Sequence, residues 1–194
     1  MSENKPKRDK RQGSEHLFQS GERARETRVE SEPKRLDLAE IDASLKMVEM
    51  HWQEIDDELE RRHIGRKDTP FTATVRMRMM SAYRSLDTLL GEQIPPFSPS
   101  SIPEMLLLNE RVHYGTDELL LSEYAKARKA TAAKFYQHIE PIQQWYERHT
   151  KRGDHPLKIA AEIYVSILGY PQLYIEGNHR TGSLIANWIT VYYG

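Results

Sequence analysis

Apolar residues recur at spacings of three and four through most of this 194-residue sequence, and almost no stretch alternates apolar with polar at period two. That pattern restricts the chain to an all-α architecture. Leu38, Ile41, Leu45, Val48, Trp52, Ile55 and Leu59 form the first stripe and predict a helix to about His63, with Gly65 as its stop. Nine acidic against three basic residues between Asp37 and Arg62 give that helix a negative, solvated outer face. A second helix is predicted over Phe71 to Leu90, with Val75, Met79, Ala82, Leu86 and Leu89 on its core side. The proline-rich run Ile94 to Ser101 reads as loop, because prolines remove donors and push their predecessors out of helix. Helical patterning resumes over Ile102 to Val112.

A Thr116-Asp117 start then leads into a long helix through Leu119, Leu120, Tyr124, Ala127, Ala130, Phe135 and Ile139, predicted to break near Pro141, with a further piece over Ile142 to His149. Asp154 is placed to cap the helix opening at His155-Pro156, whose stripe is Ala160, Ile163, Tyr164 and Ile167. Gly169 closes that helix, residues 170 to 178 are irregular, and Arg180 to about Tyr192 forms the last helix.

Residues 1 to 36 carry ten Lys or Arg and seven Asp or Glu around only four large apolar residues after Met1, and such a segment cannot bury enough to order itself. The predicted organisation is therefore a disordered charged tail, 1–36, and one helical domain, 37–194. With 28 basic and 29 acidic residues, no global field draws the chain to nucleic acid or to a membrane. No apolar run approaches the roughly 20 residues that span a bilayer, and neither signal peptide nor membrane helix is seen. The absence of cysteine excludes disulfides, thiolate nucleophiles and cysteine-ligated zinc. A cytoplasmic location is the expectation.

The chemistry concentrates in Gln172-Leu173-Tyr174-Ile175-Glu176-Gly177-Asn178-His179-Arg180-Thr181-Gly182, between two predicted helices. A helix start offers unpaired amides and a partial positive charge, and a glycine before it lets backbone approach an anion. Glu176 adds one hard oxygen ligand of the kind magnesium takes, Arg180 a fork of phosphate donors, and Asn178 a further donor. These residue types suit a nucleotide phosphate held with magnesium; the bland alternative is a turn with a solvated arginine.

The segment resembles the Fic (Fido) family signature His-Pro-Phe-x-Asp/Glu-Gly-Asn-Gly-Arg, also set between two core helices. Gln172 to Arg180 aligns without a gap; Glu176, Gly177, Asn178 and Arg180 match, and Tyr174 replaces the phenylalanine that anchors the loop. The resemblance covers about residues 155 to 190 and implies a Fic-like helical bundle with the phosphate-binding loop between its core helices. It further implies Glu176 on magnesium, with Gly177, Asn178, His179, Arg180 and Thr181 at the phosphates of ATP or another NTP. AMP, or another nucleotidyl or phosphoryl group, would pass to a hydroxyl of a target protein, and an antitoxin-like regulator is a further implied partner. Family members usually continue beyond the motif helix, so the domain is expected to be cut short at its C-terminal end.

The departures from that signature bear on activity. Gln172 stands where the family has its catalytic histidine, and an amide cannot accept a hydroxyl proton near neutral pH, a loss of about 10² to 10⁴ in rate. His179 replaces a small glycine and crowds the phosphate path. Ser183 stands where many members carry a second arginine, and residues 118 to 138 read as helical where members have a hairpin flap. Three readings remain open: an impaired transferase, a nucleotide-binding protein without turnover, and an interaction domain with a relic loop.

Overall fold

In the computed structural model, residues 34–63 and 70–194 are described. Among them are eight α-helices and no strand. These are α1 (Leu38–Met50), α2 (Trp52–Arg61), α3 (Ala73–Gly91), α4 (Ser101–Tyr114), α5 (Glu118–Glu123), α6 (Ala125–Lys151), α7 (Pro156–Leu168) and α8 (Asn178–Tyr193). The all-α expectation is met, and no helix among the described residues is long and apolar enough to cross a membrane. Of the predicted tail, residues 1–33 lie outside the described residues. Its last three residues are tied to the fold: Lys34 Nζ donates to the carbonyls of Tyr192 and Gly194 at the end of α8, and the backbone N–H of Leu36 to Asp87 Oδ1.

The first predicted helix is two. His51, with φ −100° and ψ 13°, interrupts it, and Trp52 after the break meets the ring of Phe71 at 5.9 Å. The acidic face of α1 is only partly solvated, because Asp42 and Glu49 both bind the Arg76 guanidinium of α3. Pro141 does not break α6, which runs unbroken over 27 residues. The carbonyl deprived of its partner belongs to Gln137, which like Pro141 is exposed, so water satisfies it while Phe135, Ile139 and Tyr146 hold the opposite side in the core. Asp154 does not cap α7: the imidazole Nδ1 of His155 accepts from the N–H of Leu157, and Asp154 instead bonds His149 at 2.7 Å and Lys158.

The core gathers α3, α4, α6 and α7 around α8, whose Leu184, Ile185, Trp188 and Ile189 are fully buried. Trp188 also donates to the Ile94 carbonyl, so the proline-rich loop is fastened to the last helix. α7 and α8 approach closely at Gly182, where a Cβ would stand 3.1 Å from the Tyr164 ring. The segment from Gly169 to Gly177 must therefore turn within a few residues, with both helices already fixed.

Candidate functional site

Tyr174 anchors that turn. It is completely buried, stacks on Phe135 with ring centroids 5.4 Å apart, and donates its hydroxyl to the Met105 carbonyl of α4. Burial pushes its phenol pKa up, so it remains a neutral donor. Lys134 of α6 holds the carbonyl of Tyr174 from outside.

Asn178, also buried, closes the loop on itself. Its Oδ1 accepts from the N–H of Tyr174 at 2.8 Å, and its Nδ2 donates to the Tyr174 carbonyl and to Gln172 Oε1, each at 3.1 Å. The Asn178 amide thus serves the loop backbone, and the exposed Gln172 is held by it. Gly177 adopts φ 73° and ψ 13°, the left-handed conformation that a side chain disfavours, and is followed directly by α8. The first helical bond is from Thr181 N–H to the Gly177 carbonyl, and the N–H groups of Asn178, His179 and Arg180 have no acceptor among the described residues. Three amide donors at a helix start after a left-handed glycine are the arrangement expected of an anion site.

The remaining predicted residues diverge from that start. Glu176 is exposed and, with Ile175, borders a cleft of about 400 Å³ whose other walls include Arg78, His113, Tyr114, Tyr124 and Arg128. Arg180 turns toward α4, where its guanidinium donates to the Val112 carbonyl in the last turn, the place where a cation best meets the helix dipole. Its pKa is lowered by burial and by Arg78, and raised by Glu176, so these three charges share one neighbourhood. His179 is exposed on the other side, its Nδ1 at 3.0 Å from the hydroxyl of Tyr164. Thr181 is buried, and its hydroxyl accepts from Asn109.

Sequence reasoning missed the α4 side of the loop. Asn109 donates one amide to both the Glu176 carbonyl, at 3.0 Å, and Thr181 Oγ1, at 2.9 Å. His113, one turn later, presses its ring against the Glu176–Gly177 backbone; its Nε2 is buried there without a hydrogen bond of good geometry. Burial, and secondarily the charge of Arg180, hold the His113 imidazole below its ordinary pKa. The available signal was the four-residue spacing of Asn109 and His113 beside the apolar stripe Met105, Leu108 and Val112, which puts two polar side chains at the edge of a core face.

Among the described residues, no three His, Asp or Glu stand together as a ligand set. The described residues by themselves build no cage for a metal. Magnesium asks for less, since one carboxylate suffices when phosphate oxygens and water complete the octahedron. Glu176, at the cleft edge, is the loop carboxylate that would take that place. No protein-family model, curated protein or solved structure matches the chain.

Proposed function

We propose that this is a Fic-like protein whose loop 172–180 binds the phosphates of ATP or another nucleotide, with magnesium on Glu176, and does not itself transfer AMP. The observation carrying this reading is the trio of N–H groups at Asn178, His179 and Arg180, which have no acceptor among the described residues and directly follow the left-handed Gly177. Glu176 and the amides would hold the ligand; the metal would neutralise phosphate charge. Arg180 contributes its field, while its hydrogen bond goes to α4.

The lack of turnover follows from the loop itself. Gln172 has no basic atom and is tied to Asn178, and His179 faces Tyr164 across the helix start. Among the described residues, no imidazole stands at position 172 to remove a proton from an incoming hydroxyl. Calorimetric titration with ATP and magnesium tests the reading: saturable binding that disappears without magnesium and in Glu176→Ala is expected. Absence of binding at millimolar nucleotide refutes it.

The exposure of Gln172 favours a second reading, that of a scaffold lacking only its base. In this case Gln172→His should create covalent labelling of the chain or of added protein by labelled ATP, whereas the unaltered chain should give none. Labelling by the unaltered chain would make it a transferase acting on protein hydroxyls.

A further inference from the structure

A second concave surface lies beside the cleft, between α3 and the turn joining α4 to α5. It is an open groove of about 710 Å³, and it meets the cleft at Arg78, Tyr114 and Leu120. Its walls carry three guanidinium groups, Arg78, Arg84 and Arg111, interleaved with the hydroxyls of Ser81, Ser85 and Thr88.

None of the three arginines makes an ion pair among the described residues. Several other arginines are paired: Arg76, two residues before Arg78 on the same helix, binds Asp42 and Glu49, Arg35 binds Asp87, and Arg128 binds Glu110. Arg148, Arg152 and Arg180 also lack an ion pair among the described residues, but none of them lines this groove. Arg111 reaches across to Ser81 with one Nη, at 3.4 Å, and its Nε is buried without a partner. Among the described residues of the lining the one carboxylate is Asp117, whose Oδ1 accepts from the N–H groups of Leu119 and Leu120 at the start of α5. Ser85 and Thr88 give their hydroxyl protons to the carbonyls of Ser81 and Arg84, so the three permanently charged forks, with the Ser81 hydroxyl, are what the concavity offers to phosphate oxygens, which guanidinium binds in bidentate fashion. A concave wall also focuses their combined field on a multiply charged anion.

We infer that this groove is a binding site for a ligand carrying two or more phosphate groups, separate from the loop around Glu176. Arg78, Ser81 and Arg84 succeed one another every third residue along α3, with Arg111 reaching Ser81 from α4, so an extended polyphosphate can engage several donors at once.

Tripolyphosphate and ATP are the probes, titrated calorimetrically into the full chain at low ionic strength. Arg84 is exposed, so Arg84→Gln leaves the core untouched; it should weaken tripolyphosphate at least threefold, and Arg84→Gln with Arg111→Gln at least tenfold. Tripolyphosphate should bind without magnesium, which separates this groove from the loop, whose proposed nucleotide binding requires the metal. Equal losses for ATP would identify the phosphates of a nucleotide as the ligand, and losses confined to tripolyphosphate would identify a free polyphosphate. Failure of tripolyphosphate to bind, or binding indifferent to Arg84→Gln and the double variant, overturns the inference. Loss of magnesium-dependent ATP binding in Glu176→Ala reports only on the loop.

Discussion

Gly177→Ala tests the loop most directly, because two independent penalties converge on that residue. At φ 73° an alanine pays the left-handed penalty of about 1–2 kcal/mol. Its Cβ would also stand 2.3 Å from His113 Nε2 and 3.1 Å from Asn109 Nδ2. The His113 ring is pressed into the loop from α4 and must be displaced, an overpacking term of roughly 1–3 kcal/mol. The sum is about 2–5 kcal/mol, which for a chain of this size lowers the thermal midpoint by roughly 4–20 °C. Urea unfolding of Gly177→Ala, His113→Ala and the double variant separates the two terms. With the imidazole gone, Gly177→Ala should lose only the conformational part, leaving a coupling of about 1–3 kcal/mol between the sites. A coupling under about 0.5 kcal/mol would show that His113 does not press on the loop, and the account of α4 as its support would fail.

Asn178→Ala leaves the buried Tyr174 N–H without a partner and its carbonyl with Lys134 alone, and should destabilise by about 1–3 kcal/mol in urea, whereas an exposed residue in a merely flexible loop would show almost no change. Trp188→Ala empties the centre of the core and should lose about 3–5 kcal/mol by the same assay. The folded His113 pKa lies below its unfolded value of about 6.5, so the unfolded chain binds the extra proton; stability from this group is complete above about pH 6.5 and falls as the pH drops through that value toward the folded pKa. His113→Asn should flatten that part of the pH–stability curve, and an unchanged slope would assign it to other groups.

How far the sequence could be read varied with the kind of interaction. Apolar spacing located the helices well, since burial of one face acts through contacts that repeat every turn. It erred where a single residue competed with the pattern. Pro141 reads locally as a breaker, yet its lost hydrogen bond belongs to exposed Gln137, a matter of which side of α6 faces water. His51 carries no breaker signal, yet the helix parts there as Trp52 meets Phe71. The loop was visible from Glu176-Gly177-Asn178 and its setting between helices. The duties of its side chains were not, because Asn178, His179 and Arg180 each meet a different neighbour: the loop backbone, Tyr164 of α7 and Val112 of α4.

The sequence alone determined an all-helical fold, a helix start preceded by glycine at residue 177, and the lack of a histidine at residue 172. Local preferences and side-chain chemistry suffice for these, because each depends on residues close together in the chain. Only the tertiary structure decided that α4 supports the loop through Asn109 and His113, that Arg180 spends its hydrogen bond on a helix end, and that Arg78, Arg84 and Arg111 line one groove with no ion pair among the described residues. Those facts join residues from separate helices, and the packing of α3, α4 and α8 around one core sets their distances.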